Sequence, residues 1–261
     1  MSARHRHAPA RHRPGPHELA QNNLVDPAVA RSVAGLVAGR GLPIVEWAAG
    51  AGALTRRLAR LGPPVEAVEL DPAALTRLRR VVGPHVAITE GDILRHAPPA
   101  GRYDLVGNLP FHLTTPALRR LLRLPGWQRA VLITQWEVAR KRAAVGGTTL
   151  LTAQWWPWYV FTLARRVPAA SFSPRPSVDG GVLVVDRRDR PLVDSRVAYQ
   201  RWVQAVFTGP GRGVPAILTR AGVPRRAVER WARAEGVGAA ALPRDLTDGQ
   251  WASAYALWTG R

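Results

Sequence analysis

Between residues 43 and 136, five short hydrophobic segments alternate with segments of helical spacing. This alternation constrains the fold more than any other feature. The hydrophobic segments are PIVEWA (43–48), VEAVEL (65–70), VAITEGD (86–92), YDLVGNL (103–109) and RAVLITQW (129–136). Each has the length of a buried strand, and the intervening segments carry helical periodicity and stop at Gly or Pro. The pattern predicts an α/β fold with a mostly parallel sheet and helices on both faces.

The rest of the chain predicts three regions. Residues 1–17 are rich in Arg, His and Pro and are expected to form a disordered basic tail. Two further strands, in 159–167 and 181–188, extend the sheet of an 18–187 domain as an antiparallel pair. Residues 188–261 contain only helical patterns and predict a small helical domain. The chain lacks a long apolar span, a leader segment and any cysteine, which favours a cytoplasmic protein without a membrane segment.

The net charge is +19, from 37 basic and 18 acidic residues. The positive charge is spread along the folded part of the chain, which indicates a polyanionic partner such as nucleic acid. A basic surface that serves only solubility is the alternative.

Polar or Gly-rich residues follow the first four strands of the predicted sheet. They are the turn EWAAGAGALT (46–55), Glu69, Asp92 and the segment Asn108-Leu109-Pro110-Phe111. Ligands of open α/β sheets bind at the carboxyl ends of the strands, so we expect these groups to converge. Glycines allow close backbone approach, Glu69 suits ribose hydroxyls, and Asp92 suits an adenine amine.

NAD is the competing ligand for such a site. The turn does not follow the G-x-G-x-x-G pattern, and nothing near it offers a second nucleotide site. S-adenosylmethionine fits better, because it needs one adenosine site and one amino-acid carboxylate site.

The Asn108–Phe111 segment suits methyl transfer to an adenine amine. The Asn108 side-chain oxygen and the Leu109 carbonyl can accept both amine hydrogens, which would favour a pyramidal nitrogen with a localised lone pair. Pro110 fixes the turn, and Phe111 can stack on the base. A base inside a duplex could not reach this pocket, so the target adenine must be unpaired or flipped.

With these motifs in place, the chain resembles the rRNA adenine N6-methyltransferases of the Erm and KsgA families over residues 17–261. QNNL (21–24) resembles the family's N-terminal motif, NLPF its catalytic motif, and FSPRPSVDGG (172–181) its F-x-P-x-P-x-V signature. The resemblance implies a Rossmann-like S-adenosylmethionine-dependent domain, and that Phe172 stacks on the target base. It also implies a cofactor site formed by Gln21, Asn22, Leu24, Glu46, Ala48, Gly50, Gly52, Glu69, Leu70, Asp92, Ile93 and Asn108.

The chain departs from the family's E-x-G-x-G-x-G motif at Ala48, which occupies the first glycine position. The extra methyl group predicts a tighter approach to the cofactor and, at most, a reduced affinity. NLPFHLTT and TAQWWPWYVF resemble the actinobacterial Erm branch. That branch implies a monomeric enzyme that methylates one adenine in the peptidyl-transferase loop of 23S rRNA before full 50S assembly, and so confers macrolide, lincosamide and streptogramin B resistance.

Two alternatives stay open at this point. One is a KsgA-like methyltransferase that acts on small-subunit rRNA. The other is an RNA-binding relative that keeps the fold and has lost catalysis.

The histidines of the folded region lack metal-ligand spacing, so no metal is expected. His112, beside Phe111, is an unfavoured candidate for a general base, because the amine loses its proton easily once methylated.

Overall fold

The structure is a computed structural model that describes residues 22–260. The predicted tail 1–17 and Gln21 lie outside the described residues. Within them the strands are β1 Asn23–Leu24, β2 Ile44–Trp47, β3 Val65–Glu69, β4 Val86–Glu90, β5 Tyr103–Asn108, β6 Trp127–Gln135, β7 Tyr159–Val167, β8 Phe172–Ser173 and β9 Gly180–Arg187. The helices are α1 Pro27–Gly35, α2 Thr55–Leu58, α3 Pro72–Val81, α4 Thr114–Leu121, α5 Trp136–Arg142, α6 Leu150–Trp155, α7 Arg196–Phe207, α8 Val214–Arg220, α9 Arg225–Ala234 and α10 Asp248–Thr259.

Seven strands form one sheet in the order β4-β3-β2-β5-β6-β9-β7. The pairs from β4 to β6 are parallel, and β9 runs antiparallel to both β6 and β7. This arrangement confirms the predicted α/β fold with a mostly parallel seven-stranded sheet and an antiparallel pair at one edge. β2, β5 and most of β6 are buried on both faces, which explains why they appear in the sequence as continuous apolar runs.

All elements after Arg188 are helical, as predicted, and α10 begins with a capping box between Thr247 and Gln250. One buried hydrophobic cluster includes Leu132 of the sheet, Trp155 of α6 and Tyr199 of α7. The Tyr199 hydroxyl also donates to the Ala153 carbonyl at 3.1 Å. The helical region therefore packs on the sheet through α6. In the described part of the chain, every helix is too short or too polar to cross a bilayer.

A buried ion pair fixes the end of the sheet opposite the strand tips that carry the motifs. Asp104, at the start of β5, is 1% exposed. It accepts from Arg40 Nε at 2.6 Å, from Arg40 Nη2 at 3.2 Å and from the Arg129 backbone N–H at 3.0 Å. The Asp104 carboxylate raises the pKa of Arg40. Since Arg40 precedes β2 and Arg129 lies in β6, this carboxylate links three neighbouring strands.

We expect Asp104→Ala to lower the free energy of unfolding by about 3 kcal/mol, because it leaves a partly buried guanidinium and a backbone donor without their acceptor. Urea denaturation monitored by circular dichroism measures this change. Asp189→Ala, at an acid near the end of the sheet region, is the control and should change stability by less than about 0.5 kcal/mol. A loss from Asp104→Ala no larger than that of the control would contradict the argument.

Candidate active site

The candidate site lies where the order of the sheet reverses, between β2 and β5. The chain proceeds from β2 to β3 and β4 on one side and then crosses to β5 and β6 on the other. Crevices at such switch points are the ligand sites of open α/β sheets. Gly107 allows the two strands to approach closely, because a Cβ at this position would lie 2.9 Å from the Trp47 carbonyl oxygen.

Three sequence motifs line one cleft at this point. Its lining comes from the N-terminal motif, from the tip of β2 with the Gly-rich turn, and from the tip of β5. The lining residues are Asn22, Asn23, Leu24, Glu46, Ala48, Ala49, Gly50, Ala51, Ala53, Leu54, Asn108, Leu109 and Pro110. The predicted convergence of the NLPF segment with the Gly-rich turn is thus present in the structure. Glu69, Asp92 and Phe172, which the sequence also suggested, are not among these lining residues.

A small two-stranded sheet holds the N-terminal motif in the cleft. β1 pairs antiparallel with β8, so that Leu24 lies opposite Phe172 and Asn23 lies opposite Ser173. The Val25 N–H donates to the Ser171 carbonyl at 2.9 Å. The FSPRPS signature is therefore the structural partner of the N-terminal motif.

The side-chain amide of Asn108 has a fixed orientation. Its Nδ2 donates to the backbone carbonyl of Asn22 at 2.8 Å. A carbonyl oxygen can only accept, so the NH₂ group must face Asn22, and Oδ1 must point away from it. Asn108 lines the cleft, and the side-chain atom that does not bond Asn22 is a hydrogen-bond acceptor.

The residues after Asn108 form a rigid turn with one accessible aromatic ring. The Leu109 N–H donates to the Ile133 carbonyl at 3.1 Å, and Pro110 has φ −53°. Phe111 is half-buried, and its ring meets the Phe172 ring edge-on, with centroids 6.4 Å apart and planes at 75°. Phe172 itself is 3% exposed. In this conformation the ring available to a base is that of Phe111, with Phe172 as its support.

The Gly-rich turn requires left-handed backbone at three positions. Gly50 has φ +56° and Gly52 has φ +86°, and a Cβ at Gly52 would lie 2.9 Å from side-chain atoms of Leu78 and Val81. Ala48 also has φ +56°. The Ala48 departure from the family motif therefore acts through the backbone, since an L-residue in this region costs roughly 1–2 kcal/mol.

We expect Ala48→Gly to raise the free energy of unfolding by about 1 kcal/mol, because glycine adopts this φ without the steric cost. The midpoint of thermal unfolding should rise by about 2 °C. Ala51→Gly is the matched control, because Ala51 lies in the same turn without a positive φ, and it should not stabilise the protein. Equal effects of the two substitutions would contradict the strain at Ala48.

Backbone donors hold the carboxylate of Glu69 at the tip of β3. It is 1% exposed and accepts from Gly50 N at 2.7 Å and from Leu70 N and Asp71 N, each at 2.8 Å. Because one of these donors belongs to the Gly-rich turn, Glu69 ties the tip of β3 to the tip of β2. The next side chain, Leu70, is 42% exposed and offers an apolar surface beside this carboxylate.

Asp92 and Ile93 follow β4. Asp92 Oδ1 accepts from the Leu94 N–H at 2.8 Å, which fixes the turn, and its side chain is 35% exposed. Ile93 is buried in the hydrophobic core. Asp92 thus presents a partly exposed carboxylate, whereas Ile93 can reach a ligand only through its backbone.

Glu46 is a buried acid with an unpartnered oxygen. It is 1% exposed, and its Oε2 lacks a hydrogen-bond partner within residues 22–260. Burial raises the pKa of this carboxyl to about 8, and the negative charge of Glu69 acts in the same direction. A cationic ligand group at the cleft would provide the missing partner.

Two features of this site are not evident from the residue pattern. The acceptor for Asn108 Nδ2 is a main-chain atom of Asn22, and main-chain acceptors carry no signature in the residue type. The positive φ of Ala48 could have been predicted, since the family motif has glycine at this position, and glycine there indicates left-handed backbone.

Comparisons with known proteins point to one family. The family model "Ribosomal RNA adenine dimethylase" matches residues 16–259. The mycinamicin-resistance protein MyrB of Micromonospora griseorubida is 52% identical over 247 residues, which cover 94% of this chain and 79% of MyrB. An rRNA adenine N-6-methyltransferase of Corynebacterium diphtheriae is 44% identical over 211 residues, which cover 80% of this chain and 83% of that protein.

Among solved structures, the 23S rRNA methyltransferase ErmE is similar to this chain, with a TM-score of 0.85 and 30% identity. The match covers 91% of this chain and all of the ErmE chain. It therefore includes the helical region as well as the sheet.

Proposed function

Because the chain belongs to the ribosomal RNA adenine dimethylase family, as the sequence motifs predicted, we propose that it is an enzyme that methylates N6 of one adenine in the peptidyl-transferase loop of 23S rRNA. Its methyl donor is S-adenosylmethionine. The product confers resistance to macrolides, lincosamides and streptogramin B. The observation that carries the proposal is the orientation of Asn108, a lining residue of the cleft whose Nδ2 is bound to Asn22, which leaves Oδ1 as its acceptor. The 52% identity to a mycinamicin-resistance protein and the likeness to a 23S rRNA methyltransferase support the choice of rRNA.

The residues at the cleft fit S-adenosylmethionine. Its methionine end carries an ammonium group, and Glu46 has a buried carboxylate oxygen without a partner in the described chain. Its ribose hydroxyls suit the carboxylate of Glu69, and its adenine suits the exposed Leu70 and the Asp92 carboxylate. The remaining members of the proposed cofactor site are Asn22, Leu24, Ala48, Gly50, Gly52, Ile93 and Asn108. Gln21 stays a prediction from the sequence.

When bound, S-adenosylmethionine supplies an electrophilic methyl carbon on a sulfonium. The chain's own part is to prepare the amine. Asn108 Oδ1 and the Leu109 carbonyl accept its two hydrogens, which favours a pyramidal nitrogen whose lone pair points at the methyl carbon. Transfer of the methyl group would break its bond to sulfur and leave a neutral thioether, and the nitrogen would then release one proton to water without a covalent intermediate on the protein.

The target base has to leave its helix to reach this turn. Phe111 stacks on the base, and Pro110 fixes the distance between that ring and Asn108. The family resemblance implies a stacking role for Phe172 too, and its 3% exposure means that the ring must first move out of its packed position. An unpaired or flipped adenine suits rRNA that is not fully assembled into 50S particles, so we place the reaction on free 23S rRNA in the cytoplasm.

The helical region from residue 188 contributes further RNA contacts in this proposal, and the enzyme acts as a monomer. The helices of this region carry many exposed arginines, in agreement with a phosphate-binding surface. The division into an 18–187 catalytic domain and a 188–261 RNA-binding domain belongs to the same proposal.

The test is to incubate the purified protein with labelled S-adenosylmethionine and separate 23S or 16S rRNA, and then to map modified nucleotides by primer extension. We expect label in 23S rRNA and one primer-extension stop in the peptidyl-transferase loop. Label in 16S rRNA alone would replace the proposal with the small-subunit alternative. Cofactor binding by calorimetry without any label would favour an inactive RNA-binding relative.

A further inference from the structure

A second cavity lies in the helical region, on the side of α7 and α8. Its volume is about 760 Å³, within the range of ligand pockets. We call it the Trp258 groove. Its lining combines two tryptophans, two arginines and small apolar residues, among them Arg201, Trp202, Val206, Ile217, Arg220 and Trp258.

Trp258 gives this groove an accessible aromatic surface. It is 42% exposed, although its ring packs on Tyr255 with centroids 5.9 Å apart and on Trp202 with centroids 6.2 Å apart. Trp202 is 5% exposed and forms part of the core. The groove therefore has a partly exposed indole that is held in place by buried rings, which is the form of a base-stacking platform.

The charge around the groove is positive. Arg201 and Arg220 are exposed, and neither guanidinium has an ion-pair partner in the part of the chain that the structure describes. No acidic residue lines the groove in residues 22–260. The groove thus combines a stacking surface with two uncompensated cations, which complements a nucleotide and its phosphates. A second copy of this chain is a poor occupant, because each copy carries a net charge of +19.

We propose that the Trp258 groove binds an unpaired nucleotide of the rRNA substrate, with its base on Trp258 and the adjoining phosphates on Arg201 and Arg220. This inference rests on the proposed function, because it takes rRNA as the substrate. The groove is separate from the methyl-transfer cleft, so it acts on the affinity for RNA and leaves the chemical step unchanged.

The first test substitutes Trp258 and measures the dissociation constant of a labelled 23S peptidyl-transferase-loop fragment by fluorescence anisotropy, alongside kcat at saturating RNA. We expect Trp258→Ala to weaken binding about tenfold with kcat unchanged, and Trp258→Phe to retain most of the affinity. Val197→Ala is the matched control, because it removes an exposed apolar side chain of α7 that does not line the groove. Affinity of Trp258→Ala within twofold of the wild type would overturn the proposal.

The second test does not disturb the packed rings. Arg201→Gln with Arg220→Gln should weaken binding and reduce the slope of log K against log salt by roughly 1.4, because two phosphate contacts of an unpaired segment are lost. Arg77→Gln with Arg80→Gln removes the same charge from exposed positions of α3, beside β3 and β4, and should leave both quantities near their wild-type values. Equal losses in the two pairs would show a general charge effect and overturn the proposal.

These outcomes are distinguishable from failure of the proposed function. If the wild type binds the 23S fragment and methylates only 16S rRNA, the proposed function is refuted. The affinities of the Trp258 and arginine variants for the fragment then still test whether the groove binds RNA. If the wild type methylates 23S rRNA and the variants bind it normally, the role of the groove in RNA binding is refuted, and the proposed function is supported.

Discussion

Asn108→Ala is expected to lower the rate of methyl transfer at saturating substrates by about 10²- to 10³-fold. The substitution removes the oriented acceptor Oδ1, and catalytic groups of this kind contribute an effect of this size when they meet a developing charge in a closed site. Affinities for cofactor and RNA should change much less, because the interaction is strongest in the transition state. Single-turnover kinetics with labelled S-adenosylmethionine measure the rate.

Asn108→Asp separates orientation from acceptor count. It keeps the acceptor oxygen but replaces the NH₂ donor with a second carboxylate oxygen that repels the Asn22 carbonyl, so it should also be strongly impaired. His112→Ala is the control for a general base beside the turn, and its rate should stay within about twofold of the wild type. A normal rate in Asn108→Ala, or a large loss in His112→Ala, would refute the assigned roles.

Glu46 is expected to make the stability of the cofactor-free protein depend on pH between about 4.5 and 8. Burial raises the pKa of its carboxyl in the folded protein to about 8, from the ordinary 4.5. The folded state therefore holds a proton that the unfolded chain releases, and the stabilisation present below pH 4.5 is lost as the pH rises through 8. The loss is on the order of 4 kcal/mol at its fullest extent.

Glu46→Gln replaces the carboxyl with a neutral group of the same shape and should remove this part of the pH dependence. Urea unfolding at pH 5, 6, 7 and 8 for both proteins measures the difference, which should grow with pH in favour of the variant. Glu90→Gln, at an exposed acid of β4, should follow the wild-type profile. Parallel profiles for the wild type and Glu46→Gln would place the Glu46 pKa near its ordinary value.

The sequence predicted the elements that position the site. Continuous apolar runs identified the buried strands, and Asn108 and the Gly-rich turn met because carboxyl ends of parallel strands share one edge of a sheet. The helical patterns after Arg188 were equally clear, since each helix is followed within two residues by a glycine. These features depend on local periodicity, which a single sequence displays directly.

Features that depend on contacts between residues far apart in the chain could not be predicted from the sequence. The burial of Phe172 follows from the pairing of β1 with β8, which joins segments far apart in the chain. The Asp104–Arg40 ion pair and the Trp258 groove likewise combine residues whose spacing has no period.

The contact between Asn108 and the Asn22 carbonyl has a consequence for how this protein can vary. The orienting acceptor is a main-chain oxygen, so almost any residue at position 22 provides it, while position 108 needs a side chain that carries both a donor for this bond and an acceptor for the amine. An alignment of relatives would then show an invariant residue at position 108 and variable residues at position 22. Comparisons that equate conservation with importance would then overlook the backbone of residue 22, although it orients the catalytic amide.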